Sequence, residues 1–322
     1  MFRFALRRSA WAIPTLLLVT FLVYIALRMG TDPLASYMRS NPRATRSKIA
    51  QYKELNGLGS NYVTGYLSWL KNFITFNWPN SIKGSREVWP ELKDAMANSA
   101  RLGFAATTVG VSIGLTIGIF AALRPGGKRD VAVNTAAFVG ISIPPYISAI
   151  LLQLLFAVYW SKWFGNTLFP TSGVYPPGQD GFDLVLMIKH MALPTVVVAI
   201  QVIAVYSRYM RSSLLDVLNS DYMRTARSKG LSEFRILIRH GVRNALIPVI
   251  TIAALDIGAI VGGLIITENI FDYPGTGKYF LSACGDGELP LLMPLMVIIV
   301  ASVLLFNLIA DISYAVLEPR IR

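Results

Sequence analysis

Apolar residues gather along this chain in six runs: Ala10–Leu27, Leu102–Leu123, Val131–Trp160, Ala192–Tyr206, Ala245–Ile266 and Leu291–Leu317. A hydrocarbon core about 30 Å thick takes about 20 apolar residues in a helix, so each run predicts a membrane span. The third and last runs are long enough to tilt or to extend past the bilayer. The fourth is short, and its pattern predicts a start nearer Leu186. Arg3, Arg7 and Arg8 precede the first run, as in a signal peptide. That run is 18 residues long and no small-x-small cleavage site follows it closely, so it reads as an uncleaved first span.

The polar stretches differ in kind. Between the first two runs, Tyr62, Tyr66, Trp69, Leu70 and Phe73 share one helical face. Such a helix lies in the membrane interface or packs against the outer ends of the spans. Pro90 stands where a proline at the first helical position would open the helix of the second span. The divisions expected are a tail and first span at 1–30, an extracytoplasmic loop with an interfacial helix at 31–100, a five-helix core at 101–317 and a cytoplasmic end at 318–322.

Composition agrees with the pattern. Of 322 residues, 54% are hydrophobic and 15% are charged, against about 25% charged in a soluble domain. The net charge of +12 would suggest nucleic acid in a soluble protein, but here its placement decides. The N-terminus holds 3 Lys and Arg, the five loops hold 11, 3, 2, 8 and 1, and the C-terminus holds 2. Basic loops stay inside, and long loops escape that rule. Both termini and the second and fourth loops therefore read as cytoplasmic, the partner of the surface is a lipid bilayer, and nucleic acid is excluded. The lone Cys284 allows no intrachain disulfide. His190 and His240 lie far apart without metal-ligand spacing and read as structural.

The fourth loop, Ser207–Asn244, carries eight basic residues against Asp216, Asp221 and Glu233. Two short helices are legible in it. Asn219, Ser220 or Asp221 caps the first, Arg227 and Lys229 suit its C-terminal dipole, and Gly230 sits where a left-handed residue would end it. Ser232 caps the second, which runs toward the fifth span. A helix of about eight residues is marginal in water, so the first must dock. Lipid and a cytoplasmic partner protein both remain open on these grounds.

The stretch "DYMRTARSKGL" followed by "RHGVRNALIP" resembles the coupling loop of ATP-binding-cassette importer permeases of the dipeptide/oligopeptide family. Its matching residues are Asp221, Tyr222, Arg224, Thr225, Ala226, Arg227, Lys229, Gly230 and Leu231, then Arg239, His240, Arg243, Asn244, Ala245 and Pro248. Arg224 and Thr225 replace the first two members of the broader Glu-Ala-Ala pattern, a departure that peptide-type permeases share. "TENIFDYPGTGKYF", "SIPPYI" and "DISYAVLEPRIR" are similar to other segments of that family, with Glu318 in place of its usual aspartate; Arg39–Arg86 is the weakest part.

The resemblance implies an all-α polytopic membrane protein with six transmembrane helices of the type I importer permease fold and a cytoplasmic coupling helix. It implies half of a pathway for di- or oligopeptides, with nickel and oligosaccharides as other cargoes of the family. Its partners would be a homologous second permease, two ATPase subunits and an extracytoplasmic binding protein in a bacterial inner membrane. ATP and Mg²⁺ would belong to the ATPases, with no cofactor in this chain.

The chain offers no ATPase of its own. "YPGTGKYF" places Asp272 and Tyr279 where a P-loop requires Gly and Ser or Thr. No catalytic constellation for a membrane enzyme is legible either. Pro144, Pro145, Pro194, Pro248, Gly258, Gly262, Gly263 and Pro294 interrupt the spans, as transporter helices allow. Asp256 lies midway along the fifth run, where a lipid-facing carboxylate would cost at least about 2.5 kcal/mol. It is expected to face the translocation path or a structural partner. In a stand-alone secondary transporter, ion coupling would run through this acid. Asp311, nearer the cytoplasmic end of the last run, is expected to pair with a basic residue of a cytoplasmic loop.

Overall fold

A computed structural model describes residues 2–83, 86–176, 178, 181–261 and 264–317. Gly262, Gly263 and the 318–322 end, Glu318 included, lie outside the described residues. The chain is helical, without a strand among the described residues. Its helices are α1 (Phe2–Gly30), α2 (Pro33–Ser40), α3 (Arg46–Leu55), α4 (Tyr62–Ile74), α5 (Val88–Ala122), α6 (Lys128–Ser142), α7 (Pro145–Gln153) and α8 (Trp160–Phe164). There follow α9 (Leu184–Leu218), α10 (Asp221–Ser228), α11 (Glu233–Ile236), α12 (Arg243–Val261), α13 (Ile265–Ile270), α14 (Thr276–Asp286) and α15 (Leu289–Leu317). One-turn π-helical segments, Leu154–Tyr159 and Leu237–Val242, join α7 to α8 and α11 to α12.

Five described stretches are long and apolar enough to cross a membrane: Ala10–Gly30, Val88–Ala122, Pro145–Phe164, Leu184–Leu218 and Leu289–Ile312. The remaining expected run is α12, which lies along α15 and against α9 and α5. The second span opens at Val88 with Glu87 as its cap, so Pro90 stands in the first turn but not at its first position. The fourth opens at Leu184, where the Asp183 carboxylate accepts from the amides of Val185 and Leu186.

The third run is not one helix. α6 ends at Ser142, Ile143 is extended, and α7 restarts at Pro145. Pro144 and Pro145 have no N–H to give to the preceding turn. The freed carbonyls of Gly140 and Ile143 accept instead from the side-chain amide of Gln201 on α9, at 2.9 and 3.1 Å. Inside a bilayer such groups need a partner from the protein.

The central contact is α5 on α9. Gly110, Gly114 and Gly118 recur every fourth residue on α5 and are buried against Val202, Tyr206 and Ser207. A Cβ at Gly118 would stand 2.6 Å from the Ser207 carbonyl oxygen. Small residues let the two backbones approach, which supplies packing where lipid leaves no hydrophobic drive.

At the end of the bundle remote from α10, helices α2 to α4 fold against α1 and α15. Tyr66 and Trp69 are buried with Tyr24, Leu27, Leu92 and Leu292. Tyr24 donates to the Asn56 and Gly57 carbonyls, and Arg28 donates to Ser60. The Tyr66–Trp69–Phe73 face of α4 is therefore turned into the protein, while Val63, Leu67 and Ile74 remain exposed. Glu288, just before α15, accepts from the Ser81 hydroxyl and the Ile82 amide, which ties the end of the long loop to the last span.

Candidate functional site

The polar segment between α9 and α12 is built on three side chains. Met223 and Ala226 of α10 and Ile236 of α11 are buried together, with Val217, Leu218 and Leu231 packed around them. This spacing of three residues on α10 puts its apolar groups on one face. Ser220 is the N-cap, without a side-chain bond to the helix amides. Lys229 closes the helix, and Gly230 follows at φ +74°, the left-handed position read from the sequence. Arg227 is drawn across the turn to Glu233 at 3.1 Å, which joins α10 to α11.

Asp221, Tyr222, Arg224, Thr225, Lys229 and Gly230 are exposed, and Leu231 is half-buried. Ala226 is not on that outer surface. Its small size lets α10 lie close to α9 and α11, so it supports the helix from beneath. From Leu231 the chain continues through α11 and the π-helical turn into α12. Ser213 on α9 donates to the Ala245 carbonyl at 2.9 Å, which fixes where α12 begins.

Thirteen residues along α12, about 20 Å at 1.5 Å per residue, lies Asp256. It is half-buried, and Tyr206 on α9 donates to its Oδ2 at 2.7 Å. The acid thus has a hydroxyl partner inside its own chain, which is the structural partner, one of the two readings of its sequence position. Tyr206 itself is buried beside Met210, Ala245 and Val249. The pair connects the two helices that flank the polar segment.

Three polar groups that organise this frame carried no local signal in the sequence. Gln201 is one; the proline pair predicts orphaned carbonyls, and an amide on a neighbouring span is what such carbonyls call for. Asp130 on α6 is another. It forms a two-bond ion pair with Arg211 on α9 and accepts from Gly126 N and Asn134 Nδ2, at 2.9 and 2.8 Å. The Arg211 hydrogen bond first, then the amide of Gly126, holds its carboxyl at about 2. Glu268 is the third and is fully buried. It accepts from Ser99 Oγ and from the amides of Leu264, Gly277 and Lys278, at 2.6, 3.1, 2.7 and 3.2 Å. Those donors offset the cost of burying a carboxylate. They also show what the glycines of "YPGTGK" do: they let the backbone fold as a nest around an acid.

Residues 114–322 match the family model described as the inner membrane component of binding-protein-dependent transport systems. The chain belongs to that family. Its relatives extend the likeness over this permease's whole length. The oligopeptide transport system permease protein AppB of Bacillus subtilis (strain 168) is 36% identical over 99% of this chain and 98% of its own. The dipeptide transport system permease protein DppB of the same organism is 34% identical over 100% and 98%. DppB of Escherichia coli (strain K12) is 30% identical over 100% and 99%. Among solved structures, an inward-facing methionine ABC transporter, MetNI, superposes with a TM-score of 0.54 at 16% identity, over 70% of this permease and 96% of that chain. The fold is that of a type I importer permease, all-helical and polytopic. The permease is one component of a transport system, and it resides in a membrane.

Proposed function

We propose that this permease forms half of the passage of an ATP-driven importer of di- and oligopeptides. The full-length similarity to relatives named for oligopeptide and dipeptide transport supports that cargo. A homologous second permease completes the passage, and an extracytoplasmic binding protein delivers the peptide. Two ATPase subunits, which hold ATP and Mg²⁺, lie beneath. The membrane is the bacterial inner membrane, with both termini in the cytoplasm.

The observation that carries the reading is the construction of α10. It is a short helix held from beneath by Met223, Ala226 and Ile236, with a polar outer face of Asp221, Tyr222, Arg224 and Thr225 left exposed. That face fits a cleft in an ATPase. Closure of the ATPases moves α10, and the Arg227–Glu233 tie and α11 pass the motion to α12, where Asp256 sits on the passage.

The test is mild-detergent purification of the tagged permease from its native membrane, followed by identification of the chains that come with it. A second permease and two ATPases are expected; an isolated homo-oligomer contradicts the proposal. In a Cys284→Ser background, a cysteine at Arg224 cross-links to the ATPase and one at Ala226 does not.

A further inference from the structure

A groove of about 640 Å³ opens between α6 and α9, at the end of the bundle nearest α10. Its lining is graded. Ile141, Phe138 and Val205 form the end toward the middle of the bundle, while Asn134, Arg211 and Ser212 form the end toward α10. α6 and α9 run in opposite directions, so both walls change from apolar to polar at the same depth.

The two arginines of the groove are not equivalent. Arg211 is neutralised by Asp130. Arg208, one turn nearer the middle of the bundle, lies over the Phe138 ring at 4.9 Å and has no carboxylate partner among the described residues. It is exposed, beside the exposed Tyr209. The groove therefore holds one uncompensated cation and a phenol, at the boundary between an apolar wall and a polar one.

We infer that this groove binds an anionic phospholipid of the inner leaflet, its phosphate on Arg208 and an acyl chain along Phe138, Ile141 and Val205. A free anion would use the cation and leave the apolar wall uncovered. A zwitterionic lipid would cover the wall but bring its own cation against Arg208. Basic pockets between membrane helices on the cytoplasmic side recognise anionic headgroups in this manner. The inference rests on that end being cytoplasmic, which is checked separately: a cysteine at Arg124, in a Cys284→Ser background, reacts with an impermeant thiol reagent only from the inner side.

The experiment is native mass spectrometry of the purified transporter complex, titrated with phosphatidylglycerol or with phosphatidylcholine of the same chains. Phosphatidylglycerol is expected to bind more tightly. Arg208→Gln lowers its affinity about fivefold, the factor expected for one basic residue at an anionic surface. Arg208→Lys retains most of the affinity, and Arg124→Gln retains all of it. Equal retention of phosphatidylglycerol by Arg208→Gln and the parent overturns the inference, as does equal binding of the two lipids. Displacement of phosphatidylglycerol by inorganic phosphate assigns the groove to a soluble anion instead. A cross-link from a cysteine at Phe138 to the second permease assigns it to the subunit interface.

Discussion

Asp256 has Tyr206 as its partner, and the two substitutions that separate them read different things. Asp256→Asn is expected to preserve assembly and to lower uptake of free-amine peptides more than uptake of blocked ones. Tyr206→Phe removes a donor yet leaves the charge, so it spares that discrimination. If the pair is only structural, both changes lower thermal stability alike, by about 1.5–3 kcal/mol for a hydrogen bond to a charged group, with no preference between substrates. Glu288 yields a prediction of a different kind. Burial pushes its carboxyl above the usual carboxylate range, against the lowering effect of Ser81 and Ile82. A carboxyl raised on folding stabilises the folded state fully below its unfolded value of 4.5, and that contribution is lost as pH rises through the folded value. Opening of the Ser81–Ile82 segment, followed by hydrogen exchange at Ile82 corrected for intrinsic rate, is therefore expected to increase as pH rises through that range. Glu288→Gln is expected to abolish the increase; an unchanged profile in the variant contradicts it. None of these pairings was legible in the sequence. Asp256 stood out because a carboxylate in an apolar run is locally anomalous. Glu268, Glu288 and Asp130 lie in mixed stretches, and the side chains that reach them from other elements, Ser99, Ser81 and Arg211, are 81 to 207 residues away.

Among the elements, α5 and α9 set the frame. A side chain at Gly118 meets backbone, which cannot move aside as a flexible side chain would. Gly118→Val is expected to lower the thermal stability of the detergent-purified permease by about 1–3 kcal/mol, the range for overpacking. Gly285→Ala, where nothing lies within 4 Å, is expected to leave it unchanged. An equal melting temperature for Gly118→Val and the parent contradicts the close α5–α9 approach. The long apolar runs were legible because composition alone marks a span. The break of the third run was less so, since a proline pair interrupts a helix without saying whether it bends or stops. The outer helices were the hardest to read. α2 and α3 are short, and their evident signals are caps: Asp32 before Pro33, and Thr45 accepting from Lys48 N at 3.4 Å. The aromatic face of α4 was visible by its period, but period cannot tell protein from membrane interface as the surface it meets. For the polar loop, the two short helices and the left-handed Gly230 followed from capping chemistry. The burial of Ala226 did not, because a small residue in a basic segment serves either face.

At the scale of the whole molecule, α10, α11 and α12 form the proposed lever, fixed to α9 by Ser213 and by the Tyr206–Asp256 pair. The proposed orientation, with this lever in the cytoplasm, rests on the basic loops, and its proposed occupant on resemblance rather than on physics. Gly230 is where the lever turns. Its φ of +74° is open to glycine, and no atom lies within 4 Å of a Cβ built there. Gly230→Ala therefore meets only the left-handed backbone cost, about 1–2 kcal/mol, and is expected to keep partial activity. Proline is confined to negative φ and forfeits the amide that Gly230 donates to Arg227 at 2.9 Å. The decisive measurement is ATP hydrolysis by the reconstituted transporter complex, stimulated by peptide-loaded binding protein, with the Gly230→Pro permease. The account predicts normal insertion and assembly with stimulation lost; stimulation at the parental level would contradict it.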